Sequence, residues 1–268
     1  YGVVVRRVAL PVGDDQCAED YPELFEAQVT DKTRLFLFSS PTFTTGTVLP
    51  IKALARLAQR YGIHTLVDGA HLPGMLDIDC HELGVDFLVG SGRKWQFGPA
   101  DTGLLYIRNK VLSEHNPRPL PDFWPVVTLW YPPEGGLPAR TATSTPTYDI
   151  AEYVQTAGSA SLTRLLGLQK ACAIWDRAGR TAIESRLLDL SAYLKLSIGN
   201  RFGEEALYSP FSDARLHSAL TTFSPFRHPD TGSDGKRTAE AVRLLETRHR
   251  IRVRHMSFPV PGSQAPHH

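Results

Sequence analysis

Cysteine is scarce in this chain, long apolar runs are absent, and neither sign of charge dominates. The three cysteines, Cys17, Cys80 and Cys172, are odd in number and show no CxxC spacing, which argues against both a disulfide framework and a zinc site. No apolar run reaches the roughly 20 residues that a membrane-spanning helix needs. The opening residues carry neither the apolar stretch nor the cleavage site of a secretion signal. A cytoplasmic protein without a membrane partner is therefore expected. Lysine and arginine number 29 against 28 acidic residues, a net charge of +1, so nothing draws the chain as a whole toward nucleic acid. Any anion must be held by a local site.

Two phosphate-binding signatures are missing as well. Gly90-Ser91-Gly92-Arg93-Lys94-Trp95 has neither the GxxxxGK[ST] spacing of a Walker loop nor the third glycine of a GxGxxG dinucleotide fingerprint.

What is present is the composition of an ordinary globular protein. With 268 residues, 42% of them hydrophobic, the chain can fold as one large α/β domain with a smaller appendage. The valine-rich residues 2–8 read as a buried strand met at the very start of the chain, as if upstream structure preceded it. Residues 34–39 form a short apolar run, followed by a threonine-rich loop carrying Gly46. Pro50 then opens a helix, with Ile51, Leu54, Ala55, Ala58 and Tyr61 on one face, and Gly62 ends it. Residues 64–68 read as the next strand, which completes a parallel strand-helix-strand unit. A third strand over 85–89 runs into Gly90-Ser91-Gly92-Arg93-Lys94. A fourth over 103–108 follows too closely for a helical crossover, so an antiparallel neighbour is expected.

Residues 116–148 are rich in proline, glycine and threonine and read as a long ordered loop. Helices are expected at about 150–177 and 180–198. After them come a strand over 216–223, a helix over 236–248 and a strand over 251–255. The domain reading is a major α/β domain over 1–150, lacking its N-terminal part, connecting helices over 151–200, and a small, incomplete α+β domain over 201–268.

Chemistry gathers at the ends of two strands. Asp68 alone is ordinary turn chemistry before a glycine, and Lys94 alone is an ordinary surface lysine. Successive strands, however, deliver both to the edge of an α/β sheet where ligands bind, with Ser91 and Arg93 directly before the lysine.

In that order the residues resemble the class V aminotransferase group of fold-type I enzymes dependent on pyridoxal 5′-phosphate (PLP), which includes cysteine desulfurases and isopenicillin N epimerase-like proteins. The resemblance rests on VDGAH, then DF, SGRKW, GP and GLLYIR, and is continuous over about residues 1–112. It implies a mostly parallel sheet with helices on both faces and PLP as cofactor. Lys94 would hold PLP as a Schiff base and act as general base at the substrate Cα. Asp68 would pair with the pyridine nitrogen. His71 matches the position near the cofactor's phenolic oxygen, Thr42 lies near a position that contacts the same oxygen, and Ser91 and Arg93 match positions that hold the phosphate. Arg93 replaces the usual histidine, and its forked donors suit a phosphate. Ser144-Thr145-Pro146 resembles the segment that reaches the phosphate of the partner subunit, so a homodimer with shared sites is implied, with Trp124, Trp130 and Tyr131 offering apolar contact surface.

The departures are informative. The segment IRVRHMSFP resembles the loop that holds the catalytic cysteine of cysteine desulfurases, but Met256 and Ser257 stand there, which argues against a persulfide mechanism. Arg252 and Arg254 are candidate substitutes for the arginine that binds the substrate carboxylate. The leading expectation is an enzyme that binds an amino acid as an external aldimine, removes the Cα proton and either eliminates a β-substituent, as a C–S lyase does, or reprotonates the carbon, as an epimerase does. Transamination is the alternative. A non-catalytic protein that keeps the fold is the alternative of another class, and a nucleotide-binding module ranks below it. The residues shared with the group specify the cofactor and the first proton transfer, not the product.

Overall fold

A computed structural model of the chain describes residues 2–108, 161–228 and 232–256. Two compact units divide it: one comprises Tyr1–Gln28, Pro41–Pro50 and Glu184–His268, the other Val29–Ser40 and Ile51–Ile183.

The second unit is built on a four-stranded sheet in the order β1-β2-β3-β4, with β1 at Leu35–Ser39, β2 at His64–Gly69, β3 at Phe87–Ser91 and β4 at Gly103–Ile107. β1 pairs parallel to β2, and β2 parallel to β3. β4 runs antiparallel to β3, as the short link between them requires. The helix following β1 spans Ile51–Arg60 and buries Ile51, Leu54, Ala55, Leu57 and Ala58 along one stripe. Tyr61 falls outside it and is exposed, while Gly62 takes the left-handed conformation, φ 67°, that closes the turn. Phe36, Phe38 and Val67 are buried on one side of the sheet. The opposite side carries Leu35, Leu37 and Leu105, all of them exposed among the described residues. In register, Ser39, Asp68, Val89 and Leu105 form one row across that side.

A buried ion pair pins the strands at the end remote from Asp68. Asp86 Oδ1 accepts from Arg108 Nε at 3.0 Å and from Nη2 at 2.7 Å. Its Oδ2 accepts from the Thr65 backbone N–H at 2.9 Å. Thr65 Oγ1 in turn accepts from the Asp86 N–H at 2.8 Å. Asp86 and Arg108 are both almost wholly removed from solvent, so one charge compensates the other where water cannot.

Numbered in chain order, the helices among the described residues are α1 Asp20–Glu26, α2 Ile51–Arg60, α3 Cys80–Leu83, α4 Leu162–Ala178, α5 Arg180–Phe202 and α6 Gly235–His249. Gly179, at φ 88°, separates α4 from α5. The fold corrects three expected strands. Residues 2–8 carry no strand, and Val3, Val4 and Val5 are largely exposed. Residues 216–223 leave a 3₁₀ turn at Ala214–Leu216 and meet a sheet pattern only in the isolated Leu207–Phe223 bridge. Residues 251–255 are irregular. Preference for β structure is a preference for a pleated, half-buried surface, and without a paired neighbour it does not make a strand. The only paired strands after α5 among the described residues are the two-residue β5 Arg227–His228 and β6 Gly232–Ser233. The loop expected over 116–148 and the helix start expected near 150 lie outside the described residues.

Within the first unit, Ile198, Ala206 and Leu207 form a core against which Phe211 and Phe223 pack. Lys195 is fully buried beside it, with Nζ donating to the Pro210 carbonyl at 2.8 Å. Burial lowers its pKa from 10.5 to about 8, with Asp14 opposing the shift. Below pH 8 the lysine is charged in both folded and unfolded chains. Between about 8 and 10.5 the unfolded chain binds more protons, so stability rises with pH across that window. Urea unfolding of the native protein should show this rise, and Lys195→Met should remove it. Equal slopes for the two proteins would refute the assignment.

Candidate active site

Asp68 is the penultimate residue of β2. Its carboxylate is oriented by two short-range donors: Oδ1 accepts from the Ala70 backbone N–H at 3.0 Å, and Oδ2 from Ser39 Oγ–H at 3.1 Å. The first is a local Asx-type turn. The second follows from the β1–β2 register, which sets Ser39 directly opposite Asp68. A carboxylate offers about four lone-pair positions, so Asp68 keeps room for a further donor.

The chain turns sharply after Gly69, and His71 stands half-buried on that turn. Lys94 stands on the turn that follows β3. That turn is closed by Gly98 N–H donating to Gly92 O at 2.7 Å and by Phe97 N–H donating to Lys94 O at 3.1 Å. Gly92 is needed here, because a Cβ would lie 2.5 Å from Thr102 Oγ1 and 3.0 Å from a Leu168 methyl. The two turns lock together at Gly74, which adopts φ 83°. A Cβ there would come within 2.4 Å of the Trp95 carbonyl oxygen, so only glycine lets the backbones approach this closely.

The result is a three-residue polar chain. Lys94 Nζ lies 3.1 Å from His71 Nε2, and Trp95 Nε1–H donates to His71 Nδ1, also at 3.1 Å. Burial, aided by the nearby Lys94, pushes the His71 pKa below its usual value, against the opposing pull of Asp68. An amine, an imidazole held toward its uncharged form and an oriented carboxylate thus converge at the carboxyl edge of the sheet. Such a set fits a cofactor bearing a carbonyl for the amine and a basic ring nitrogen for the carboxylate.

Ser91 is half-buried at the end of β3, on the same side of the sheet as Asp68, and Arg93 is exposed on the turn. Thr42 belongs to the other compact unit. Its hydroxyl lies 2.7 Å from Thr45 Oγ1 and accepts from the Thr47 N–H at 3.1 Å. Thr145 lies outside the described residues. Two residues with a part in this geometry were not among those drawn from sequence, namely Ser39 and Trp95. Trp95 follows Lys94 directly and was readable only as part of a motif. Ser39 ends the first apolar run, and strand register alone reveals its partner.

Residues 4–233 match the family model for aminotransferase class V. The chain is 30% identical over 224 residues to an isopenicillin N epimerase of Amycolatopsis lactamdurans, covering 83% of this chain and 54% of that protein. It is 37% identical over 93 residues to a probable cysteine desulfurase of Borreliella burgdorferi, covering 35% of this chain and 22% of that one. Among solved structures, a lysine-to-alanine variant of C-DES with glycine covalently linked to its PLP cofactor superimposes with a TM-score of 0.63. The identity is 24%, and 88% of this chain and 56% of that one are covered. The chain thus spans about half the length of the epimerase and of the solved structure. No helix among the described residues is long and apolar enough to cross a membrane. With its family model, its PLP fold-type I architecture and a lysine, histidine and aspartate gathered at one sheet edge, this chain belongs to the class V aminotransferase family of PLP-dependent enzymes.

Proposed function

We propose that the protein removes the Cα proton of an amino acid, with Lys94 as the base, and returns a proton to that carbon as an epimerase. The observation that carries this reading is the convergence of Lys94 and His71 at 3.1 Å beside the oriented Asp68. The epimerase outcome is favoured because that match covers 83% of the chain. Elimination of a β-substituent, as in a C–S lyase, is the second reading, supported by the similarity to a probable cysteine desulfurase. Transamination would need a keto-acid partner and ranks third.

When bound, PLP supplies an electron sink for the charge that develops at Cα. Lys94 would hold it covalently through Nζ and afterwards take and give the Cα proton. Asp68 would keep the ring nitrogen protonated through a charge-assisted hydrogen bond, while Ser39 and the Ala70 N–H hold the carboxylate still. His71 would face the phenolic oxygen, and Ser91 and Arg93 would hold the phosphate, with Thr145 reaching the phosphate of a partner subunit. That last role makes a homodimer part of the proposal, together with a cytoplasmic location and the domain limits near residues 150 and 200.

The full-length protein, supplied with PLP, should be screened with amino acids in deuterated water. Exchange at Cα with inversion supports the epimerase reading. Release of a β-leaving group and a keto acid moves the assignment to the lyase. No exchange with any amino acid refutes Cα deprotonation. Asp68→Asn keeps the size and loses the charge. A hydrogen bond to a charged group contributes about 1.5–3 kcal/mol, so this variant should slow exchange roughly 10- to 100-fold at saturating PLP. An unchanged rate would mean that Asp68 does not act on the cofactor.

A further inference from the structure

We infer that Trp95 is a positioning residue that holds His71 in a single tautomer, with the hydrogen on Nε2, so that a donor is presented toward Lys94.

An indole N–H donates and cannot accept. Trp95 Nε1 lies 3.1 Å from His71 Nδ1, so Nδ1 must be the unprotonated, accepting nitrogen. An uncharged imidazole then carries its hydrogen on Nε2, the atom 3.1 Å from Lys94 Nζ. Rotating the ring by half a turn would set a carbon against the indole N–H and forfeit the bond. The cationic form is disfavoured for the same reason, since it places a second N–H on Nδ1, head-on to that of Trp95.

Burial is the largest influence against protonation of His71, Lys94 opposes it by charge, and Asp68 favours it, while Trp95 opposes it by occupying Nδ1. Once Nζ gives up its proton and becomes the form of the amine that attacks a carbonyl carbon, the hydrogen on Nε2 meets its lone pair. The backbone that carries the indole is held close against Gly74 at the Trp95 carbonyl.

The inference concerns the same site as the proposed function, yet its readout needs no turnover, so the two can fail separately. The side-chain nitrogens of His71 would be followed by ¹⁵N NMR in the full-length protein, with His71→Gln to assign the signals. The expected result is one tautomer, Nε2 protonated and Nδ1 bare. In Trp95→Phe, which keeps a ring but loses the donor, the tautomers should mix and His71 should protonate about half to one pH unit higher, the shift expected from losing one ordinary hydrogen bond. A tautomer and titration unchanged in Trp95→Phe would reduce Trp95 to packing and overturn the inference. So would a protonated Nδ1 in the native protein, a result that stands even if the variant does not fold.

Discussion

Lys94→Ala should slow exchange of the substrate Cα proton by about 10²–10⁴-fold from loss of the base alone, and should also remove the covalent attachment of PLP. The loss is expected to be specific to the chemistry. Lys94 is half-buried on a turn whose closing bonds come from backbone groups, Gly98 to Gly92 and Phe97 to the Lys94 carbonyl. Those bonds survive truncation of the side chain. What disappears is the 3.1 Å contact with His71 Nε2, and His71 remains bonded to Trp95. Thermal unfolding of native and variant proteins should differ little, while deuterium exchange at Cα collapses. A variant that exchanges at the native rate would exclude Lys94 as the base.

The second large effect concerns stability. Arg108→Met should destabilise the protein by about 3–5 kcal/mol, because it leaves the Asp86 carboxylate buried without its counter-charge. Thr65 supplies a backbone N–H at 2.9 Å and a hydroxyl at 3.3 Å, and His64 Nδ1 stands 3.5 Å from Asp86 Oδ2, but these do not replace a permanently charged guanidinium bound through two nitrogens. In a domain of this size that loss corresponds to a fall in Tm on the order of 10 °C. Because Asp86 directly precedes β3 and Lys94 lies beyond its other end, the variant should keep its catalytic constants at low temperature while melting early. Replacing the pair together, Asp86→Leu with Arg108→Met, should restore much of the loss, since no charge is then left unpaired. A single variant as stable as the native protein would show that the pair is dispensable.

The parts legible from sequence are those where local pattern and tertiary structure agree. Ile51, Leu54, Ala55 and Ala58 announce α2 by their spacing, and all four are buried in it. Asp68, His71 and Lys94 were accessible because two strands end at the same edge and the run around them resembles one family closely. Ser39 was not, since its bond to Asp68 depends on the register Ser39 to Asp68 between strands separated by a helix. Trp95 matters through the direction of one N–H, which no residue pattern encodes. The valines at positions 3, 4 and 5 and the apolar residues of 251–255 misled for the opposite reason: they carry β preference but lack a neighbour to pair with in the described structure. α3 is set by caps rather than by periodicity. The Asp79 side chain accepts from the His81 N–H at 2.7 Å at one end, and Gly84 at φ 69° closes the other.

Everything proposed for the site depends on Lys94 carrying the cofactor, which borohydride reduction of the full-length protein loaded with PLP, followed by peptide mapping, would test. Reduction should abolish the visible absorbance band and leave one pyridoxyl group on the peptide containing Lys94. A label on another lysine, or a protein that binds PLP without reducible attachment, would contradict it.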